Sequence, residues 1–203
     1  MKKQLCMILA LWLGATCAYA DENPLIMLQG VVNEVMRELK KPNNDYKKNS
    51  DALFSLVDHH ILPHVDFVEM GRWVAGRNAW QKASPEVREK FIKAFKTVVV
   101  RTYATALLHY RNQTVEFLPS RESYEGQTRI KVSSLIKDVD KGSTRIDYYL
   151  IKHDSKWQVY DIIIEGVSLV KGYEAQYGDD IRAKGLESVI PKLLHNKNYK
   201  RAA

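Results

Sequence analysis

The stretch from Trp157 to Ile164, WQVYDIII, with Glu165-Gly166 after it, constrains the fold most, because it fixes a strand and says what must surround it. Trp157, Val159, Asp161 and Ile163 alternate with Gln158, Tyr160, Ile162 and Ile164, the period of two that sends neighbouring side chains to opposite faces of a sheet. Three consecutive isoleucines close the run, so the strand end needs apolar cover on both faces. Glu165-Gly166 breaks it, and a helical tail follows from Val167. A chain organised around such a strand must also supply helices that lid a sheet.

Those helices are legible upstream. Asn23-Pro24 gives a capping residue followed by proline at the first helical position, and Leu25, Leu28, Val32, Val35, Met36 and Leu39 make one apolar stripe. A second segment from Asp45 carries Leu53, Phe54, Leu56, Val57, Ile61 and Leu62 at helical spacing as far as Pro63. A short helix is expected from His64 to Val74, closed by Ala75-Gly76. Ser84-Pro85-Glu86 opens the longest helix, whose apolar face runs from Phe91 and Phe95 through Val98, Val99, Tyr103 and Leu107 to Tyr110.

From Gln113 the period changes to two. Strands are expected at 114–118, 128–136, 144–151 and 156–164, with Asp140-Lys141-Gly142 and His153-Asp154-Ser155 as hairpin connectors. Sequential strands with short turns form a meander. The expected fold is therefore α+β: N-terminal helices packed on a curved, mostly antiparallel four-stranded sheet, with C-terminal helices and an apolar pocket between helices and sheet. Helical segments at 167–177 and 179–183 follow the sheet, and Pro191 falls near the middle of a last helix containing Leu186 to Leu194.

The ends read differently. Lys2 and Lys3, the apolar run from Leu5 to Leu13, and Ala18-Tyr19-Ala20 form the pattern of a secretory signal peptide over residues 1–20, cleaved after Ala20. A lipoprotein signal through Cys17 lacks the aliphatic residue such a signal needs before the cysteine. Residues 21–195 are read as one domain and 196–203 as a flexible basic tail. Both cysteines, Cys6 and Cys17, lie in the leader, so the exported chain has no thiol chemistry, and periplasmic localisation is expected. The net charge of +7 falls to about +5 without Lys2 and Lys3, too mild and too dispersed for a nucleic-acid stripe. His59, His60 and His64 raise a metal reading, but Pro63 interrupts their helical face and no cysteine or carboxylate completes a ligand set of known spacing. Histidines at a helix end near its negative pole explain them better, and no metal is expected.

Three stretches together resemble the MlaC, or toluene-tolerance, family. The first is LPHVDFVEMGRWVAGRNAW, with Val65, Asp66, Phe67, Met70, Val74, Gly76 and Trp80. The second is FIKAFKTVVVRTYATALLHY, and the third VYDIIIEGVSLV, continued by Tyr173, Gln176, Tyr177 and Gly185. Ala75, Gly172 and Pro191 depart from the family pattern. The resemblance implies a periplasmic phospholipid carrier that maintains outer-membrane lipid asymmetry. Its implied partners are an outer-membrane lipoprotein complex and an inner-membrane ABC transporter with a lipid-binding ring. A monomer with no cofactor beyond its phospholipid cargo is expected.

An acyl-chain pocket needs apolar walls more than polar chemistry. The residues assigned to those walls are Leu62 and Val74 from the early helices and Val99, Tyr103 and Leu107 from the long helix. The sheet and its exit contribute Ile146, Tyr148, Val159, Ile163 and Val167. A solid core would use the same residues. Two rivals stay open: a small isomerase- or hydratase-like enzyme with Asp161 as base and Tyr148 or Tyr160 as donor, and an adaptor or chaperone whose groove takes a partner's helix or strand. No nucleophile-base pair or metal triad is visible, so no catalytic residue is assigned. Arg72, Arg77, Arg101, Arg111, Arg129 and Arg145 are candidate partners for a lipid phosphate.

Overall fold

The computed structural model describes residues 22–41, 46–110, 113–120, 123–138 and 142–195. The leader, the basic tail and the Asp140-Lys141 connector lie outside these residues. The helices are α1 (Pro24–Leu39), α2 (Ser50–His60), α3 (Phe67–Ala75), α4 (Arg77–Lys82), α5 (Pro85–Tyr103), α6 (Leu169–Lys184) and α7 (Ile190–His195). The strands are β1 (Thr114–Phe117), β2 (Arg129–Asp138), β3 (Gly142–His153), β4 (Lys156–Ile164) and β5 (Val167–Ser168). The order is helices, sheet, helices, in an α+β fold.

Local chemistry starts the helices where side-chain oxygens meet the otherwise unpaired N–H groups of a first turn. Asn23 Oδ1 accepts from the N–H groups of Leu25 at 3.0 Å and Ile26 at 3.2 Å. Asp66 Oδ1 accepts from Glu69 at 2.8 Å, and Ser84 Oγ from Val87 at 3.3 Å. Ser168 Oγ accepts from Lys171 at 3.0 Å. Two ends differ from the sequence reading. The long helix is α-helical only to Tyr103 and tightens into a 3-10 turn over Ala104–Tyr110. Pro191 sits in the first turn of α7, where its missing N–H costs nothing, so it starts a helix instead of interrupting one. The two segments expected after the sheet are one helix, α6, running through Gly178.

The five strands pair antiparallel in the order β1-β2-β3-β4-β5. The fifth corrects the expected four: its two residues, paired to Ile163 and Ile164, are too few to show a period. Glu165 and Gly166 form the turn into it with φ of 49° and 82°, the left-handed pair that a two-residue hairpin demands. Glu165 Oε1 accepts from Arg145 N–H at 2.5 Å, and the Glu165 N–H donates to Arg145 O at 3.0 Å, which holds this non-glycine residue in place. Asp66 N–H donates to Val159 O at 2.9 Å, and Val65 bridges to Val159, which docks the start of α3 on β4.

Most of the buried apolar residues among the described residues fall into three clusters. One unites α3, α5, α6 and α7 around Phe67, Phe91, Phe95 and Tyr173. A second joins the C-terminal half of α1 to α2 through Leu39, Leu53, Leu56 and Val57. The third sets Met27 and Leu28 of α1 on Val132, Leu150, Trp157 and Val159 of the sheet. Partly buried Leu62 borders the first two, and Val31 the last two.

Phe95, fully buried, meets the rings of Phe67, Phe91 and Tyr173 at centroid distances of 6.4, 6.0 and 5.1 Å. Phe95→Ala removes this hub and is expected to lower unfolding stability by about 3–5 kcal/mol, read as a shift in the urea midpoint. Burial pushes the Tyr173 phenol up to about 12 from the usual 10.0. The folded chain thus holds a proton that the unfolded chain has lost, so this contribution to stability is full below about pH 10 and disappears as pH rises through about 12. Tyr173→Phe is expected to flatten the fall in unfolding free energy over that interval, measured by urea titrations at pH 9 to 12.

Candidate functional site

Residues opposite one another in an antiparallel pair point to the same face. Val132 lies opposite Tyr148, which lies opposite Ile162; Ser134, Ile146 and Ile164 form the next such row, and Ile130, Leu150 and Val159 another. Val115 and Phe117 of β1 extend this face through their pairing with Ile136 and Ser134. The sheet therefore presents one nearly continuous apolar face, which α1 covers through Met27 and Leu28. Its polar atoms are few. Ser134, fully buried, donates from its hydroxyl to the Tyr148 oxygen at 3.4 Å. Burial pushes the Tyr148 phenol up, so it stays a neutral hydrogen-bonding group in this apolar setting.

A β-bulge resets the alternation of β4. Tyr149 pairs with Asp161 but Leu150 pairs with Val159, so Tyr160 is an extra residue. Strict alternation puts Val159, Asp161 and Ile163 on one face; in the structure Ile162 and Ile164 follow Val159, while Asp161 and Ile163 point the other way. The wall assignment of Ile163 is thereby corrected. The second consequence concerns Asp161. Its Oδ1 accepts from the N–H groups of Ile162 at 2.8 Å and Val170 at 3.1 Å, and its Oδ2 from the Ser168 hydroxyl at 2.6 Å. This carboxylate ties the strand to the start of α6, and its oxygens are engaged in holding the turn.

The other wall residues distribute as follows. Ile146 and Val159 are buried on the apolar sheet face, and Tyr148 is partly buried there. Leu107 packs, half-buried, against the α1–α2 cluster, and Leu62 lies between that cluster and the aromatic one. Val74 and Val99 belong to the aromatic cluster itself. Val167 pairs with Ile164, so it is directed to the apolar face, but it stands on the edge strand with 70% of its surface exposed. Tyr103, at the end of α5, is 39% exposed. Ile136 and Ile146 are buried on the apolar face yet belong to none of the three clusters. Ile162, Ile164 and Ile136 were missed by the sequence reading, the first two because a bulge cannot be seen in one strand alone.

Two open clefts lie elsewhere. One of about 730 Å³ runs between the end of α3, α4, the start of α5 and the end of α6, and Val74 alone of the ten wall residues lines it. Another of about 770 Å³ follows the edge of β2 beyond the end of β1, with Tyr124, Arg129, Arg145, Tyr149 and Tyr160 in its walls.

The opposite face of the sheet is polar and cross-linked. Glu69 of α3, 4% exposed, accepts from Arg129 of β2 at 2.6 Å and from the Trp73 indole at 3.1 Å, and pairs with Arg72 at 3.0 Å. The Arg129 guanidinium lies 4.9 Å from the Tyr160 ring centre, and Trp73 stacks on the same ring. The Glu69 hydrogen bond raises the Arg129 pKa above its ordinary value. Arg145 pairs with Asp147 at 3.0 Å. Of the six candidate phosphate partners, three are thus committed to carboxylates, Arg111 lies outside the described residues, and Arg77 and Arg101 have no ion pair among the described residues. Among the three histidines considered for metal, His59 bonds to Ser55 O at 2.7 Å, and His60 faces Glu34 and Glu38 of α1.

Comparison with known proteins gives this arrangement a context. The model of the MlaC protein family matches residues 29–195. The chain is 24% identical over 192 residues to the intermembrane phospholipid transport system binding protein MlaC of Haemophilus influenzae, covering 93% of this chain and 89% of that one. It is 25% identical over 166 residues to the toluene tolerance protein ttg2D of Pseudomonas putida, covering 82% and 76% respectively. Among solved structures, a phospholipid-binding protein from Ralstonia solanacearum, in complex with a phospholipid, superposes with a TM-score of 0.78 at 31% identity, over 90% of this chain and all of that one. With the family model matched over nearly all the described helices and strands, this chain belongs to the MlaC family.

Proposed function

We propose that this chain is a phospholipid carrier, holding acyl tails against the apolar face of β2–β4 beneath α1, α2 and the 104–110 turn. The observation that carries this reading is the divided interior. A domain of this size ordinarily has one contiguous core, whereas here the most buried residues of the sheet face, the α1–α2 pair and the aromatic bundle form three clusters that meet through partly buried side chains such as Leu62 and Val31, with Ile136 and Ile146 buried outside all three. Apolar surfaces that meet along such seams can part to admit an apolar guest. The phospholipid bound by the Ralstonia protein supports the same ligand here.

The need for such a carrier is physical. A two-chain phospholipid in water exposes some thirty methylenes, a gross cost on the order of 20 kcal/mol at about 0.8 kcal/mol each. Only an apolar interior offsets that. In this reading the chain is exported by its leader, cleaved after Ala20, folds as one domain, and works as a periplasmic monomer. It passes lipid between an outer-membrane lipoprotein complex and an inner-membrane ABC transporter with a lipid-binding ring, maintaining lipid asymmetry. Among the described residues no helix is long and apolar enough to cross a membrane. The wall residues proposed are Leu62, Leu107, Ile146, Tyr148 and Val159, with Val99 and Val74 behind them and Tyr103 and Val167 towards solvent.

Organic extraction of the purified chain followed by mass spectrometry tests the reading, with about one phospholipid per chain expected. A small metabolite in its place supports an enzyme, and an empty extract leaves the adaptor open. Leu107→Trp and Val159→Trp each fill space in the proposed walls and are expected to reduce the bound lipid severalfold while far-UV circular dichroism stays unchanged. Undiminished lipid in both variants would remove the wall assignment.

A further inference from the structure

Two carboxylates and an imidazole converge from separate helices. Glu34 and Glu38 are one turn apart on α1 and so share a face, and His60 is the last residue of α2. Each offers a ligand atom, and the three atoms lie within 4.8 Å of one another in a partly buried setting. The His60 Nδ1 is 4.0 Å from Glu34 Oε1, too far for a hydrogen bond. Other histidines are satisfied differently: His59 and His195 bond through Nδ1 to backbone carbonyls, and His153 bonds to Asp66 at 2.7 Å. His60 makes no hydrogen bond among the described residues, and its ring nitrogen is directed at two acceptor-only groups.

That spacing suits a metal. Three ligands held about 2.0–2.2 Å from a tetrahedral zinc ion sit roughly 3.3–3.5 Å apart, so small rotations of the glutamate side chains and the imidazole close the set. Arg37 and Lys41 neutralise the carboxylates in the absence of a cation. Both are mostly exposed, with 66% and 52% of their side chains in solvent, and exposed pairs of this kind hold weakly. An imidazole with two carboxylates selects a borderline cation of the zinc class over magnesium or calcium, which favour all-oxygen sites.

We propose that Glu34, Glu38 and His60 form a zinc-class divalent cation site that bridges α1 to α2. The inference is independent of the lipid reading. The bridge links the C-terminal half of the helix that covers the sheet to the end of the helix preceding Leu62, fixing the separation of two helical walls.

Calorimetric titration of the tag-free, chelator-treated mature chain with Zn²⁺ tests it. One ion per chain is expected, with a Kd in the micromolar range, and saturating zinc should raise Tm by several degrees because the ion binds the folded state. Magnesium at the same concentration should leave Tm unchanged. His60→Ala and the gentler His60→Gln should each weaken zinc binding at least tenfold, as should Glu38→Gln, while His59→Ala should not. Absence of both heat and Tm shift overturns the proposal. So does zinc affinity that survives both His60 variants in chains whose circular dichroism shows them folded.

Discussion

Covering one face of an antiparallel sheet is the requirement on which the rest of this molecule depends. The face runs from Val115 and Phe117 across Val132, Ile146 and Tyr148 to Val159 and Ile162, and it cannot be left in water. Helix α1 meets part of the demand with Met27 and Leu28, but the same helix gives its second half, through Val35 and Leu39, to α2. One helix therefore serves two clusters. The part of the sheet face around Ile136 and Ile146 is buried without joining any of them.

The other half of the molecule is held differently. The aromatic cluster of Phe67, Phe91, Phe95 and Tyr173 includes no residue of α1 or α2. Its tie to the sheet combines the packing of Tyr160 with a polar link: a carboxylate as buried as Glu69 is tolerable only when fully paired, and Arg129, Arg72 and the Trp73 indole supply the pairing. The Asp161 carboxylate adds a second tie, from β4 into the first turn of α6. With these in place, α3, α5 and α6 make a frame whose buried cluster contains no residue of α1, while α5 also reaches the α1–α2 cluster through Val100.

Much of this was legible in the sequence because the governing interactions are local. Asn23-Pro24 and Ser84-Pro85-Glu86 announce helix starts through bonds that span two or three residues, and both begin α-helices as expected. The meander was legible for the same reason, since short connectors leave consecutive strands little choice of neighbour. What could not be read depends on partners. The bulge at Tyr160 exists only against Tyr149 and Leu150, and it moved Ile163 off the face that alternation had given it. Strand β5 has two residues and no period of its own. Glu34 and Glu38 meet His60 through the packing of α1 on α2, so the carboxylates that the sequence reading found missing come from another helix.

A divided interior also bears on how tightly cargo can be held. Side chains that border unfilled space forfeit contacts on that side, so an empty carrier is less stable than a filled one, and a lipid that restores those contacts binds favourably for the same reason. Perfect complementarity would defeat the purpose, because a lipid held far better than a membrane or partner holds it is never released. An apolar wall of Leu, Ile and Val side chains with a few tyrosines suits that compromise. Dispersion contacts with such walls are numerous, non-directional and individually weak, so tails can slide out a few methylenes at a time without breaking one strong bond at once. In the proposed carrier the frame around Phe95 and Glu69 stays closed during that exit, and the cost of motion falls on the seam between α1, α2 and the sheet.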